Sequence, residues 1–211
     1  MKKFDTTLYF ITDSTGFAET EFLRRVEEAL DGGATMLQLR EKNKSTMECI
    51  ELAEKVHELT KKYNVPLIID DRIDVALAIG AEGVHLGKED MPIATARRIL
   101  GDNFIIGATA KTVPWALEVY EGGADYLGVG AIYPTTTKVK TVLTSTETLA
   151  DICEAVPIPV NAIGGLNKNN IGVLAGIPIA GICVVSAIMK AESPKTEVNI
   201  LLNIAKELTK I

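Results

Sequence analysis

Short apolar runs alternate with stretches of helical periodicity along most of the chain. The runs Leu8–Thr12, Ala34–Leu39 and Val65–Ile69 are rich in branched and aromatic residues, as buried parallel strands are. Between them, Glu19–Leu30 and Met47–Tyr63 carry apolar residues three and four positions apart, which predicts helices with one buried face. The first third of the chain is therefore predicted to alternate strand and helix.

The same alternation continues beyond these segments. The further predicted strands are Gly83–Leu86, Phe104–Ala108, Asp125–Val129, Ile158–Ile163 and Ala180–Val185. The further predicted helices are Ile73–Ile79, Ile93–Leu100, Pro114–Tyr120, Thr146–Val156, Asn169–Ala175 and Glu197–Leu208. Eight strand-helix units with short linkers predict an α/β fold, a (β/α)8 TIM barrel with residues 1–211 as a single domain. A doubly wound open sheet is the alternative, although it rarely needs so many regular units.

Composition narrows the classes of partner. The 211 residues are 47% hydrophobic and 24% charged, as in ordinary globular proteins. A net charge of −6 without a dense Lys/Arg cluster argues against nucleic acid. No apolar run approaches membrane-spanning length and no signal-peptide pattern is present, so we expect a cytoplasmic protein with no membrane partner. The sequence leaves open whether the protein forms a homo-oligomer.

The cysteines and histidines carry little functional signal. Cys49, Cys153 and Cys183 are too far apart in sequence for a C-x-x-C pair, and their odd number fits poorly with a disulfide framework. They are interpreted as small buried apolar residues. His85 is expected to be a hydrogen-bonded residue of the core, or one that supports the site from behind, rather than a catalyst. His57 is expected to lie on a helix surface.

The segment Gly128–Lys138 has the chemistry of an anion site. Gly128 and Gly130 leave the end of an apolar strand bare, so that a ligand or another backbone can approach. The hydroxyls of Thr135, Thr136 and Thr137 and the ammonium of Lys138 suit a phosphate or pyrophosphate. A threonine-rich surface loop is the alternative interpretation.

Other predicted strand ends also carry polar groups. Functional residues of such barrels gather at the carboxyl ends of the strands, which brings them to one mouth. Gly164 and Gly165 follow strand seven, and a helix is predicted to start at Ala187, after Val185 and Ser186 at the end of strand eight. This arrangement predicts a phosphate between strands six and eight.

A second group of strand ends suggests a metal and another anion. Arg40, Lys42 and Lys138 could hold a second anionic group, while Asp71 and Asp90 offer oxygen ligands to Mg²⁺. The alternative is that Asp70, Asp71 and Asp90 cap the helices that follow them. Two phosphate sites and a magnesium ion at one mouth predict an enzyme that joins two phosphorylated small molecules.

These motifs, in this order, resemble the thiamine-phosphate synthase family over nearly the whole chain. They are Leu8–Asp13, Gln38–Lys42, Ile68–Arg72, Gly83–Gly87, Glu89–Pro92, Ala124–Gly130, Pro134–Lys138, Ala162–Gly165 and Val184–Ile188. The resemblance implies a (β/α)8 barrel that condenses hydroxymethylpyrimidine diphosphate with a thiazole phosphate. The products are thiamine phosphate and pyrophosphate, so the implied enzyme is a Mg²⁺-dependent transferase of a pyrimidinylmethyl group.

The resemblance also implies roles for individual residues. The residues implied to bind the pyrimidine diphosphate are Gln38, Leu39, Arg40, Glu41, Lys42, Asp70, Thr109 and Lys138. The residues implied to bind the thiazole phosphate are Thr135, Thr136, Thr137, Gly165, Val185 and Ser186. Asp71 and Asp90 would ligate Mg²⁺, and Arg40, Thr109 and Lys138 would take part in catalysis.

Three positions depart from the family's pattern. Asp70 stands where Asn is common, Thr109 where Ser is common, and Lys111 where His is frequent. The first two keep a hydrogen-bonding oxygen and the third adds a cation. Two other functions remain open, a thiazole tautomerase and a non-catalytic binder of thiazole phosphate. The tautomerase would not need the metal pair Asp71 and Asp90 or the diphosphate-binding Arg and Lys, and a binder of thiazole phosphate alone would not need a complete diphosphate side. These residues therefore favour the synthase.

Overall fold

The computed structural model describes residues 4–135 and 142–209, and within them eight parallel strands close into a barrel in chain order. The strands are β1 (Leu8–Ile11), β2 (Met36–Leu39), β3 (Leu67–Asp70), β4 (Gly83–Leu86), β5 (Ile105–Ala110), β6 (Tyr126–Gly130), β7 (Val160–Ile163) and β8 (Gly181–Val184). The last strand pairs with the first, because Tyr9 lies beside Cys183 in parallel register. The predicted (β/α)8 barrel is confirmed.

Helices follow the strands and cover the outside of the barrel. They are α1 (Glu19–Asp31), α2 (Thr46–Tyr63), α3 (Ile73–Ile79), α4 (Ile93–Leu100), α5 (Val113–Glu121), α6 (Thr146–Ala155), α7 (Ser186–Met189) and α8 (Pro194–Leu208). A 3-10 helix spans Ile171–Leu174. Among the described residues, no helix combines the length and the apolar content needed to cross a bilayer.

Local sequence signals explain where several helices begin and end. Ser45 and Glu48 form a capping box at the start of α2, in which each side chain accepts a hydrogen bond from the other residue's backbone N–H. Thr112 caps α5 through the N–H of Trp115. Gly80 ends α3 with φ of 65°, a left-handed conformation that favours glycine.

The alternation of side chains along the strands divides the core into two parts. Leu8, Phe10 and their equivalents on the other strands point outward and pack against the helices. The inward positions include Tyr9, Met36, Ile68, Ile105, Tyr126 and Cys183, which fill the barrel. Because successive residues face opposite ways, a polar residue at the inward end of a strand reaches the barrel mouth.

The predicted helix Asn169–Ala175 is wrong, since only the 3-10 helix forms there. Two Asn side chains accept hydrogen bonds from nearby backbone N–H groups. Asn167 N donates to Asn170 Oδ1 at 2.8 Å, and Asn169 N donates to Asn167 Oδ1 at 2.9 Å. Such local bonds compete with a regular helix, and Gly172 disfavours one further.

Two expectations about single residues also need correction. His57 is buried rather than on the helix surface, and its Nε2 lies 3.1 Å from Glu82 Oε1. Its spacing of four from Ala53 and three from Thr60 places it on the buried face of α2. Cys49 and Cys183 are buried as expected, whereas Cys153 is only half-buried.

Candidate active site

A cavity of about 540 Å³ opens at the carboxyl ends of the strands. Its volume is typical of a small-molecule site. On the β2–β5 side it is lined by Gln38, Arg40, Lys42, Asp70, Asp71, Asp90 and Thr109. On the β6–β8 side it is lined by Thr135, Gly164, Gly165, Val185 and Ser186. The structure therefore brings together most of the residues that the sequence marks as candidates.

Leu39 and Glu41 are exceptions, because they are not among the residues that line the cavity. Residues alternate in direction along β2 and just beyond it, so Gln38, Arg40 and Lys42 point inward while the residues between them point away. Leu39 packs in the outer core, and Glu41 accepts a hydrogen bond from Ser14 Oγ at 2.8 Å. The structure does not support side-chain contacts of these two with the pyrimidine diphosphate.

Three predicted residues lie outside the described part of the chain. They are Thr136, Thr137 and Lys138. Their roles remain those that the sequence implies.

The β2–β3 side of the cavity holds paired charges. The ammonium of Lys42 lies 2.6 Å from Asp70 Oδ2 and also contacts Asp71 Oδ2, while Arg40 Nε lies 3.7 Å from Asp70 Oδ2. Burial raises the pKa of Asp70 to about 6, and the neighbouring charge of Asp71 adds to the rise. Burial alone would lower the pKa of Lys42, but the two carboxylates outweigh it and raise that pKa. This side can therefore exchange internal ion pairs for contacts with an incoming anion.

Asp71 and Asp90 do not cap helices. The residue before α3 is Arg72 and the residue before α4 is Pro92, and neither helix start receives a side-chain hydrogen bond. Asp90 Oδ2 instead accepts a bond from Gly87 N at 2.7 Å. Burial raises the pKa of Asp90, and the nearby Asp71 contributes to the rise. Two neighbouring carboxylates at a cavity edge are stabilised by a cation between them.

The donor set is compatible with Mg²⁺. Among the described residues there is no group of three or more His, Cys, Asp or Glu side chains placed to hold a metal. Mg²⁺ does not need such a group, because it usually takes one or two carboxylates and completes its octahedron with water and substrate phosphates. Asp71 has φ of 58°, an uncommon left-handed conformation for a residue with a side chain, which is often found at functional sites.

The β6–β8 side of the cavity is built mainly from backbone. Tyr133 N donates to Gly164 O at 3.0 Å, which joins the loop after β6 to the end of β7. A Cβ atom on Gly165 would lie 2.7 Å from Tyr133 Cβ and 2.8 Å from Pro134 O, so the close approach requires glycine. Ser186 begins α7 directly after β8. The described residues on this side are neutral, and the glycines bring the backbone close to the cavity.

The cavity also contains residues that the motif analysis missed. Tyr9 and Cys183 form part of its floor, and Trp115 and Lys88 part of its wall. Trp115 Nε1 donates to Thr109 O at 2.9 Å, and Lys88 Nζ lies 5.3 Å from the centroid of the Trp115 ring. The inward alternation along β1 and β8 could have identified the floor residues, whereas the Lys88–Trp115 contact joins the loop after β4 to the first turn of α5. His85 lines the cavity and is hydrogen-bonded, as predicted.

Comparisons with known proteins point to one family. The family model for thiamine monophosphate synthase matches residues 8–188. Thiamine-phosphate synthase 2 of Streptococcus pneumoniae serotype 4 is 51% identical over 185 residues, which cover 88% of each chain. Thiamine-phosphate synthase of Enterococcus faecalis is 47% identical over 201 residues, 95% of each chain. The solved structure of thiamine phosphate pyrophosphorylase from Pyrococcus furiosus is 43% identical, covers 96% of each chain and superposes with a TM-score of 0.87.

Proposed function

The chain belongs to the thiamine monophosphate synthase family, and from this premise we propose how its cavity carries out the reaction. Its activity is thiamine-phosphate synthesis, a transfer that releases pyrophosphate. The pyrimidinylmethyl group of hydroxymethylpyrimidine diphosphate passes to a thiazole phosphate. The single observation that carries the residue assignments is that one cavity has a charged side and a neutral, glycine-built side.

The two substrates occupy different sides of the cavity. The pyrimidine diphosphate lies on the β2–β5 side, where Gln38, Arg40, Lys42 and Thr109 face the cavity. Lys138 lies outside the described residues, and the family resemblance implies that it also binds the diphosphate. The thiazole phosphate lies on the β6–β8 side, against Thr135, Gly165, Val185 and Ser186 with Thr136 and Thr137. Backbone N–H groups suit this phosphate because its charge does not change during the reaction.

Asp71 and Asp90 would hold Mg²⁺ beside the diphosphate. When bound there, the ion supplies positive charge that stabilises the oxygens of the leaving pyrophosphate. The pKa of Asp90, raised by burial and by Asp71, supports this assignment, because a cation between the carboxylates would remove their repulsion. Asp70 pairs with Lys42 and positions that cation rather than contacting the metal.

The chemistry requires separation and recombination of charge. The bond between the pyrimidine methylene carbon and the diphosphate oxygen breaks, and its electron pair leaves with pyrophosphate. Arg40, Lys42 and Lys138 stabilise this negative charge, and the Thr109 hydroxyl donates a hydrogen bond to it. The lone pair of the thiazole nitrogen then forms the new bond to the methylene carbon. No protein nucleophile is required. The cavity needs to bind and orient the two substrates and to exclude water.

Incubation of the protein with both substrates tests the assignments. We expect thiamine phosphate and pyrophosphate in equal amounts with Mg²⁺, and loss of turnover when EDTA removes the metal. Unchanged turnover in EDTA would refute the metal assignment while leaving the synthase activity intact. Conversion of the thiazole phosphate alone, without the diphosphate, would instead support a tautomerase. A cytoplasmic location and a homo-oligomeric state remain predictions.

A further inference from the structure

A chain of hydrogen bonds crosses the barrel beneath the cavity. Gln38 Nε2 donates to Tyr9 OH at 2.7 Å, and Tyr9 OH lies 2.8 Å from Tyr126 OH. Tyr126 OH lies 3.1 Å from His85 Nδ1, and His85 Nε2 lies 2.9 Å from Thr109 Oγ1. The chain thus connects β2 with β5 and ends at the threonine that is expected to contact the diphosphate.

The middle of this chain is closed to solvent. Tyr9 and Tyr126 are fully buried, and Gln38 is only 2% exposed. Burial also raises the pKa of both tyrosines well above its ordinary value, so both hydroxyls keep their protons. A buried hydroxyl that cannot reach water must give its proton to a neighbour in the chain, since a buried donor without a partner is costly.

The amide at one end gives the chain a direction. Tyr9 accepts from Gln38 and therefore gives its proton to Tyr126, which in turn gives its proton to His85 Nδ1. His85 is then protonated at Nε2 and donates to Thr109 Oγ1. A doubly protonated His85 would donate to Tyr126 instead, and one of the two tyrosine protons would lose its partner in the chain.

A glycine provides the space in which the Tyr126 ring stands. A Cβ on Gly107 would lie 2.1 Å from Cζ of Tyr126, so only a glycine admits this ring into the barrel. A Cβ on Gly128 would lie 3.4 Å from Cε1 of His85, an ordinary van der Waals distance, so the position of His85 does not require a glycine there. Gly107 therefore shapes the barrel interior for the hydrogen-bond chain.

We propose that Tyr126 is a positioning residue that holds His85 as the Nε2–H tautomer, and that His85 in turn positions Thr109. Thr109 then accepts from the ring and points its own proton at the substrate. The identity of that substrate rests on the proposed function, whereas the direction of the chain does not. A threonine that accepted nothing could rotate its proton away from the cavity. The histidine removes this freedom before the substrate binds, which is preorganisation of a catalytic donor.

Nitrogen NMR tests the direction without any assay of activity. The protein contains two histidines, so a ¹⁵N-labelled sample gives two imidazole patterns. The pattern that remains in His57→Gln belongs to His85. We expect His85 to show an unprotonated Nδ1 and a protonated Nε2 at neutral pH. A protonated Nδ1, alone or together with a protonated Nε2, would overturn the proposal. His85 would then donate to Tyr126 instead of accepting from it.

Kinetics of paired variants test the consequence for catalysis. Tyr126→Phe removes the donor to Nδ1 and keeps the ring, and we expect kcat to fall about tenfold, the effect of one lost hydrogen bond. In a Thr109→Val background the same change should alter kcat less than twofold, since no hydroxyl is left to orient. If Tyr126→Phe lowered kcat equally in the wild-type and Thr109→Val backgrounds, the role of Tyr126 would be merely structural and the proposal would be overturned. Tyr120→Phe, on the exposed face of α5, is the matched control and should leave kcat unchanged.

The two experiments separate the proposal from the proposed function. If the wild-type protein forms no thiamine phosphate but His85 shows the expected tautomer, the proposed function is refuted and the direction of the hydrogen-bond chain is supported. If the protein is active but Tyr126→Phe leaves both the His85 tautomer and kcat unchanged, the function stands and the positioning role is refuted.

Discussion

The β2–β5 side of the cavity presents charged side chains, whereas the β6–β8 side presents glycines, hydroxyls and backbone. On the first side Lys42 bridges Asp70 and Asp71, and Asp90 lies near Asp71. On the second side Gly164 and Gly165 lie against the loop after β6, where a Cβ on either would clash. Charge is concentrated where the proposed reaction creates charge, and a rigid neutral surface lies where the bound phosphate does not change.

This difference has a kinetic consequence. Interactions that strengthen in the transition state raise kcat, whereas interactions equal in the ground and transition states change only KM. Changes on the β2–β5 side should therefore act mainly on kcat, and changes on the β6–β8 side mainly on the KM of the thiazole phosphate. The predictions below test this division, from the largest expected effect to the smallest.

The largest effect is expected at the metal carboxylates. Asp71→Asn or Asp90→Asn replaces an anionic ligand with a neutral one, and we expect turnover to fall on the order of a thousandfold, since a catalytic metal supplies several kcal/mol. The Mg²⁺ concentration needed for half-maximal activity should rise as well. Asp102→Asn, at an exposed turn away from the cavity, is the control. Wild-type activity and Mg²⁺ dependence in both variants would remove the metal assignment.

The next effect concerns the donor at the end of β5. Thr109→Val keeps the shape and removes the hydroxyl, and the expected loss of transition-state stabilisation is on the order of 2–4 kcal/mol. Thr109→Ser keeps the hydroxyl and should be close to neutral. Steady-state kcat, together with a check that both variants fold, distinguishes the two. If the valine variant turns over like the wild type, Thr109 has no catalytic role.

A smaller effect is expected on the glycine-built side. Ser186→Ala removes a hydroxyl near the proposed phosphate, and we expect the KM for the thiazole phosphate to rise about tenfold with kcat nearly unchanged, as for one hydrogen bond to a charged group. The matched comparison is Ser193→Ala, which removes only the cap of α8. An effect of Ser186→Ala confined to the KM of the pyrimidine diphosphate would mean that the two substrates occupy the opposite sides.

The smallest effect is on stability and depends on pH. The pKa of Asp70 is raised to about 6 in the folded protein, so its ionisation destabilises the fold as the pH rises from about 4 through 6. Asp70→Asn should therefore match the wild type below that window and be more stable above it. We expect a gain on the order of 1 kcal/mol, since each pKa unit corresponds to about 1.4 kcal/mol and the raised pKa already includes the attraction of Lys42.

Urea unfolding at several pH values in EDTA measures this difference. A variant less stable than the wild type at pH 7 would show that the contact with Lys42 stabilises the fold by more than the burial of the Asp70 charge destabilises it. The same variant also restores the residue that is common in the family, so its kcat shows whether Asp70 contributes to turnover.

Much of the site could be predicted because barrels place strand ends together. Once the sequence indicates alternating strands and helices, Arg40, Asp71 and Ser186 must converge on one mouth, although they are far apart in the chain. The motif could not say which neighbours of Gln38 face the cavity. The contiguous motif predicts Leu39 and Glu41 as ligand contacts, whereas the alternation along β2 and just beyond it turns both side chains away from the cavity.

Sequence alone determined the barrel and the family, because these depend on periodicity and on residue types in a fixed order. That Asp71 and Asp90 hold a metal stays a prediction. Tertiary structure alone decided the contacts that cross between strands. His57 proved to be buried against Glu82, and Tyr126 proved to stand in the gap left by Gly107 and to meet His85. The physical reason is that hydrogen bonds and packing depend on distances between side chains from different strands, and the local pattern of a strand does not specify its neighbours' side chains.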